Sequence, residues 1–188
     1  MTLKNSFGLK LAPFAFLVFL ACLFSFTSCM IIKPGAEKSA KSLYETFFVG
    51  EEGTQYFIKP LNFESTQKSA SLHLDFAFRY KTSDKVEVIV NFGIIDNDLI
   101  KSVDSLKIEG TQTTIASSNN KLLFNEKKNE SFVSRYSTTI SLSELKLLMK
   151  NTNWKVTVFE NNKLHSYIPT RKTKKALQKL NNNLFVLF

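Results

Sequence analysis

The stretch that decides the fold runs from Ser69 to Ile95 and reads SASLHLDFAFRYKTSDKVEVIVNFGII. Apolar side chains occupy every second position on both sides of the polar break Thr82-Ser83-Asp84. Successive side chains of a β-strand point to opposite faces, so this period predicts two strands that each have one apolar face. The short break predicts that they pair as a long antiparallel hairpin. Because the apolar face must be covered, the hairpin predicts a layered β-rich domain.

The sequence on either side of this hairpin predicts more strands. Tyr44–Val49 and Thr54–Leu61 are short apolar runs separated by Gly50-Glu51-Glu52-Gly53, which has the composition of a turn. They predict a second hairpin. Further segments with strand character are Leu106–Glu109, Thr111–Ala116, Lys121–Asn125, Ser131–Ile140, Trp154–Glu160 and Leu164–Ile168.

Two segments change to a helical period. Ser141-Leu142-Ser143-Glu144 matches the capping box, so we expect a helix at about 142–150. Thr170 would cap a last helix that continues to about Asn181 and carries an apolar stripe. The final residues, Leu184–Phe188, are either a last core strand or an exposed docking segment. The fold class is therefore mainly β, a β-sandwich or small barrel of about ten short antiparallel strands with two peripheral helices, and the alternative is a smaller α+β sheet packed on both helices.

A basic start and an uncharged apolar run precede this β-rich part. Lys4 and Lys10 are followed by Leu11–Ile32, which holds no charged residue. This layout is typical of a secretory signal. At its end, Phe26-Thr27-Ser28-Cys29 resembles the lipobox of bacterial lipoproteins, with phenylalanine where leucine is more usual. The resemblance implies that a diacylglycerol is attached to Cys29, that residues 1–28 are removed and that the new N-terminus is acylated.

Alternatives to this lipidation stay open. Phe19-Leu20-Ala21-Cys22 is a second, poorer match to the lipobox. Leu11–Ile32 is long enough to span a bilayer as a retained helix, and simple secretion is the third alternative. The family resemblance also bears on location, since Met30 stands where an aspartate retains some lipoproteins in the inner membrane. In lacking this aspartate, the chain is similar to lipoproteins of the outer membrane. The resemblance implies that the protein lies on the periplasmic side of the outer membrane, and the inner membrane and the cell surface are the alternatives.

Three parts of the chain follow from these patterns. We expect a lipoprotein signal peptide at 1–28, a lipidated cysteine and tether at 29–42 and a single β-rich domain at 43–188. A tether of about 13 residues reaches at most roughly 45 Å. The first 28 residues hold two lysines and no acid, so the remaining 160 carry 23 basic and 16 acidic side chains, a net charge of +7. For an exported protein, this charge favours anionic lipid, glycan or an acidic envelope protein as partner and disfavours nucleic acid.

Candidate chemical groups in the domain are few. Both cysteines of the chain, Cys22 and Cys29, lie in the signal region, which excludes a disulfide or a thiolate metal site from the domain. His73 and Asp75 point the same way from one strand and could form a pair of metal ligands. A zinc site needs three or four ligands, and the sequence has only one other histidine, His165. The sequence therefore predicts a solvated sheet face at His73 and Asp75, and no metal or other cofactor. Asp96, Asp98 and Asp104 are candidate calcium ligands. Glu51, Glu52, Glu64 and Asp75 are candidate carboxylates for glycoside hydrolysis.

The last predicted helix is the most strongly charged element. No acid follows Glu160, and five cations surround the apolar stripe. A basic amphipathic helix of this kind either lies on an anionic membrane or packs on the sheet with its cations in water. The sequence thus predicts a membrane-anchored, non-catalytic envelope binding or assembly module, and the alternatives are an envelope hydrolase with unrecognised acids or a structural subunit of an envelope complex. The candidate membrane or partner contacts are Arg171, Lys172, Lys174, Lys175 and Lys179.

Overall fold

A computed structural model describes residues 43–67, 69–82 and 85–188 of the chain. The signal, lipobox and tether predicted for the first 42 residues lie outside the described residues. The elements are, in order, β1 (Tyr44–Phe48), β2 (Thr54–Ser65), β3 (Ser71–Tyr80), β4 (Glu87–Asp96), β5 (Ser105–Glu109), β6 (Thr114–Ser117), β7 (Lys121–Lys128), β8 (Ser131–Ser141), α1 (Leu142–Met149), β9 (Lys155–Glu160), β10 (Lys163–Pro169) and α2 (Arg171–Asn183), with turns of 3-10 helix at Gly50–Glu52 and Phe185–Leu187.

All these strands belong to one antiparallel sheet that curls into a half-barrel. Its strand order is β6-β5-β9-β10-β2-β3-β4-β8-β7, and β1 pairs with β2 outside this path. The curl brings β6 to β8, where the hydroxyls of Ser117 and Thr138 are hydrogen-bonded. The prediction of a mainly β domain with two helices is confirmed. The sheet buries one face inside the curl, which we call the inner face, and turns the other, outer face to solvent.

The hairpin predicted from Ser69 to Ile95 forms the centre of the sheet. β3 and β4 pair antiparallel, with Asp75 opposite Asn91. On the inner face, alternate residues of both strands are fully or almost fully buried. These side chains belong to a single core cluster that also takes in residues of both helices. The inner-face members of the two strands are Leu72, Leu74, Phe76, Phe78, Val88, Val90, Phe92 and Ile94.

Strand β2 has two neighbours along one edge, β1 at its start and β10 at its end. Between them the register with β3 shifts, because Lys59 and Pro60 stand opposite Asp75 alone. Proline has no backbone N–H to give to a ladder, so a bulge is where a strand tolerates it. The backbone of Asn62 is satisfied from α2, since its N–H donates to the Thr173 hydroxyl at 3.0 Å and its carbonyl accepts from that hydroxyl at 2.6 Å. A side chain therefore replaces a strand partner here.

The predicted helix starts are confirmed. In α1, the Ser141 hydroxyl accepts from the Glu144 N–H, and the Glu144 carboxylate accepts from the Ser141 N–H, which completes the capping box. In α2, the Thr170 hydroxyl caps the Thr173 N–H at 3.1 Å. The buried side chains of the helices join the core, among them Leu145 and Leu177. Both helices therefore cover the inner face of the sheet.

Some predicted elements are wrong in detail. The strand expected at Thr111–Ala116 begins only at Thr114, because Gly110 N–H bonds to the Thr113 carbonyl and closes a turn first. Leu184–Phe188 is not a core strand, since the Leu184 N–H continues the helical bonding to Leu180 and a 3-10 turn follows. Within this segment, Leu184 and Phe185 are buried, whereas Val186 and Leu187 are exposed. The first two residues of the segment therefore belong to the core, and the next two belong to the surface.

Candidate functional site

The basic face of α2 is the candidate contact that the sequence singled out. Its five cations are all exposed, and none of them forms an ion pair with another described residue. The cations lie between Arg171 and Lys179, which are about 12 Å apart along the helix axis, so positive charge is concentrated in the first part of α2. The cations are Arg171, Lys172, Lys174, Lys175 and Lys179.

The apolar stripe of α2 is buried inside the domain. Ala176, Leu177 and Leu180 are buried in the core cluster. Thr173, at the same helical spacing, is 3% exposed and bonds to the backbone of β2. The stripe is thus not available for insertion into a lipid layer, and only the charged face of this helix can meet a partner.

A polar network occupies the outer face of the central strands. Arg135 of β8 bonds the carboxylate of Asp75 at 2.5 Å, and the side-chain amide of Asn91 donates to the same carboxylate at 2.9 Å. Gly93 lies beside Arg135, and a Cβ built on this glycine would lie 3.6 Å from the guanidinium. The carboxylate that the sequence paired with His73 is therefore already held by other residues. Arg135 and Asn91 were missed because their pairing with Asp75 depends on sheet register.

His73 lies on the same outer face, opposite Gly93 of β4. Partial burial lowers the pKa of His73, the Arg135 charge lowers it further, and Asp75 opposes both effects. The imidazole is therefore neutral at neutral pH. His73 is therefore a neutral, half-buried residue on the outer face, next to a carboxylate that Arg135 and Asn91 already bind. The sequence predicted its position on a sheet face.

His165 lies on the inner face, opposite Val158, so the two histidines are on opposite faces of the sheet. Its Nε2 is 3.4 Å from a carboxylate oxygen of Glu160, and both side chains are largely buried. Near them, burial raises the pKa of Tyr167, with Asp96 and Glu160 adding to the effect. The Tyr167 hydroxyl has no hydrogen-bond partner among the described residues.

Tyr136 belongs to the same buried polar region. Its hydroxyl donates to the Ile100 carbonyl at 2.9 Å. Burial raises the pKa of Tyr136 to about 12, with a smaller contribution from Glu160. Tyr136 and Tyr167 both stay protonated at neutral pH, and Tyr136 acts as a hydrogen-bond donor.

The acids considered for calcium hold turns of the backbone. Asp96 Oδ1 accepts from the Asp98 N–H at 3.3 Å, and Asp104 accepts from the Asn161 N–H at 2.9 Å. The Asn161-Asn162 turn needs such support, because both residues have positive φ. Across residues 43–67, 69–82 and 85–188, no group of three His, Cys, Asp or Glu is arranged to hold a metal ion.

The acids considered for glycoside chemistry are distributed over the surface. Glu51 and Glu52 lie in the turn between β1 and β2, where Glu52 is paired with Arg79. Glu64 lines a half-open pocket of about 400 Å³ near the end of β2. Asp75 is held by Arg135 on the outer face. Another pocket, of about 450 Å³, is lined by none of these acids and by neither histidine.

Strand β7 is an exposed edge that the sequence did not single out. It pairs only with β8, and all its side chains are exposed. Three consecutive apolar residues, Leu122, Leu123 and Phe124, are 39%, 46% and 45% exposed. An exposed apolar edge strand can add a strand from another chain. The edge character of β7 could not be read from the sequence, because it depends on strand order.

Within the described part of the chain, no helix is both long enough and apolar enough to cross a membrane. Comparison with protein-family models, with curated proteins and with solved structures gave no match.

Proposed function

We propose that this protein is a bacterial envelope lipoprotein whose β-rich domain is a non-catalytic binding module. In this proposal, lipid on Cys29 holds the domain to the outer membrane on its periplasmic side. The basic face of α2 then binds the anionic headgroups of the nearby lipid surface. The observation that carries the proposal is that five cations of α2 are exposed and unpaired among the described residues, while the apolar stripe of the same helix is buried.

Charge and proximity both support this partner. Each Lys or Arg near an anionic membrane surface contributes about 1 kcal/mol, and the attraction falls within a Debye length. Because the apolar stripe is buried, no hydrophobic insertion by α2 adds to this attraction. A tether of about 13 residues would keep the domain within roughly 45 Å of the membrane, so even a weak electrostatic contact would be populated. Binding should therefore be reversible and sensitive to salt.

Vesicle binding by the unlipidated chain of residues 30–188 tests this contact. This chain keeps every residue of the core cluster and also Leu43, the first residue that packs against it. We expect it to bind vesicles with anionic lipid and not neutral vesicles, and raised salt should weaken the binding. Replacing Lys174, Lys175 and Lys179 by Gln should lower the affinity by at least about tenfold.

The matched control replaces three exposed lysines outside α2 by Gln, namely Lys101, Lys121 and Lys155. It removes the same charge and should lower vesicle affinity much less. Equal effects of the two triple variants would overturn a role specific to α2. Equal binding to neutral vesicles would overturn the electrostatic contact altogether, and tight binding to an acidic protein or glycan alone would replace lipid as the partner.

The lipid anchor has its own test, which is intact-mass measurement of the protein purified from a bacterial envelope. We expect a chain that begins at Cys29 and carries a diacylglycerol and a further acyl group. Cys29→Ser should block this modification, whereas Cys22→Ser should leave it intact. A chain that begins at Met1 and has no fatty acid would overturn the lipoprotein proposal without affecting the vesicle test.

The placement of the two histidines supports a binding module over the hydrolase alternative. They lie on opposite faces of one sheet, so they cannot act together on one substrate. Asp75 and Glu52, which the hydrolase would need as free carboxylates, are paired with arginines. An envelope hydrolysis activity that one acid-to-amide substitution abolishes would reverse this preference.

Strand β7 supports a second candidate, a structural subunit that assembles with a second copy of itself. An antiparallel pairing centred on Leu123 would set Leu122 of each copy opposite Phe124 of the other. It would also leave Lys127 and Lys128 beyond the apolar contact. Sedimentation should then show a dimer that Leu123→Lys dissociates, and a monomer at all concentrations would exclude this candidate.

A further inference from the structure

A half-open pocket of about 450 Å³ lies at the end of the half-barrel where β3 ends, which we call the end pocket. Its apolar lining comes from Tyr80, Val86, Leu142 and Phe188. Three lysines, Lys81, Lys85 and Lys146, complete its charged rim. The volume lies in the range of about 300–1,000 Å³ that is usual for small-molecule sites.

The aromatic side of the end pocket is firmly packed. The Phe188 ring lies 4.6 Å from the ring of Tyr80, centroid to centroid, and 5.5 Å from Phe78 in the core. It also meets Tyr56 edge to face at 5.2 Å. These contacts fix one wall of the pocket before any ligand enters. An apolar wall that is already ordered binds a hydrocarbon chain without a further cost of ordering its own side chains.

The rim of the end pocket is positive. None of the described residues that line it is acidic. Lys81 and Lys85 are exposed, and neither forms an ion pair with another residue that the structure describes. Lys146 is held at the pocket because its ammonium donates to the backbone oxygen of Phe188. In the chain of residues 30–188 this oxygen belongs to the terminal carboxylate, so the unpaired charge of the rim is that of Lys81 and Lys85. The nearest acid along α1, Glu144, is occupied by the capping box with Ser141.

We propose that the end pocket binds a single-chain anionic amphiphile, with its carboxylate or phosphate head at the lysines and its chain on the aromatic wall. An apolar wall alone would accept any hydrocarbon, and a lysine rim alone would accept any anion. Their combination in one pocket selects a molecule that has both parts. The site shares no residue with the basic face of α2, so this proposal does not depend on the proposed membrane contact.

Calorimetric titration of the chain of residues 30–188 tests the pocket, with every amphiphile below its micelle concentration. Dodecanoate and dodecyl phosphate should bind saturably at one site, and the preferred head distinguishes a carboxylate ligand from a phosphate ligand. Inorganic phosphate and dodecyltrimethylammonium should bind at least about tenfold more weakly, because the first lacks the chain and the second has the wrong charge.

A pair of matched variants localises the binding. Lys81→Glu with Lys85→Glu should lower the affinity for the anionic amphiphiles by about tenfold or more. Lys101→Glu with Lys121→Glu makes the same charge change outside both the end pocket and α2, and should alter the affinity less than about twofold. All four lysines are exposed, so both variants should unfold at the midpoint of the unaltered chain. Absence of saturable binding, equal binding of the cationic amphiphile or equal effects of the two variants would overturn the proposal.

Discussion

The two faces of β3 and β4 are built from the same strands but are stabilised in different ways. On the inner face, Phe76 and its neighbours are excluded from water by the helices and by the rest of the curled sheet. On the outer face, Asp75 and Arg135 form a half-buried network whose side chains keep 15% and 25% of their exposure. Burial of apolar area contributes much more to folding than a partly solvated ion pair. Inner-face changes should therefore affect stability, and outer-face changes should affect it little.

Trp154 gives the largest expected effect, because it packs between the inner-face rings of Phe63 and Phe76. Its indole N–H also donates to the carbonyls of Leu148 and Asn151. Trp154→Ala should lower the free energy of unfolding by about 3–5 kcal/mol in urea denaturation. Trp154→Phe keeps much of the packing and should cost less. A loss as small as that of a surface substitution would contradict the central place of this ring in the inner core.

Thr173 should give the next largest effect. Its hydroxyl bonds both backbone groups of Asn62 on the edge of β2 that faces away from β3. Thr173→Val keeps the size of the side chain and removes the acceptor of the Asn62 N–H, while the Asn62 carbonyl keeps the Thr170 N–H, so the free energy of unfolding should fall by about 1–3 kcal/mol. Thr173→Ser keeps the hydroxyl and should lose less. A larger loss for Ser than for Val would show that packing of the methyl group, and not the hydrogen bonds, is what matters.

The outer-face ion pair should contribute less than either inner-face residue. A double-mutant cycle with Asp75→Asn and Arg135→Gln should give a coupling of roughly 0.5–1.5 kcal/mol. The same cycle for the more exposed pair Arg79 and Glu52 should give a coupling close to zero. If the exposed pair couples more strongly than the half-buried one, burial is not what sets the strength of these contacts.

His73 should give the smallest effect, seen only as a dependence on pH. Because the pKa of His73 is lowered in the folded state, the unfolded chain binds a proton more readily as the pH falls below about 6.5. Stability should therefore decrease on acidification through this window and be unaffected by His73 at pH 8. His73→Asn should remove this part of the slope in urea titrations at several pH values. An unchanged slope would contradict the stated environment of the imidazole.

The central hairpin shows how far the sequence reaches into the structure. Its two alternating runs and the polar break between them predicted an antiparallel hairpin, and β3 and β4 pair in that way. The capping residues Ser141 and Thr170 likewise mark both helix starts, because a cap acts on the next turn of the same segment. These features are local, so composition and period were sufficient to predict them.

Other features depend on contacts between distant segments. Arg135 reaches Asp75 only because β8 pairs with β4, a choice of neighbour that no local pattern specifies. The end pocket is lined by the last residue of β3, by the first turns of α1 and by Phe188, and these three segments are far apart in the sequence. Three consecutive apolar residues, Leu122 to Phe124, give no sign that both faces of β7 would be exposed. The candidate basic contact on α2 could be predicted from the sequence, because its five cations lie close together on a single helix.

Most of the strands, both helix starts and the cations of α2 could be predicted from the sequence, since each depends on side chains that are neighbours along the chain. The curl of the sheet, the neighbour of each strand and the meeting of distant polar groups came only from the folded domain. Burial and strand order arise when the whole core closes, and the free energy of that closure is shared among residues from every segment.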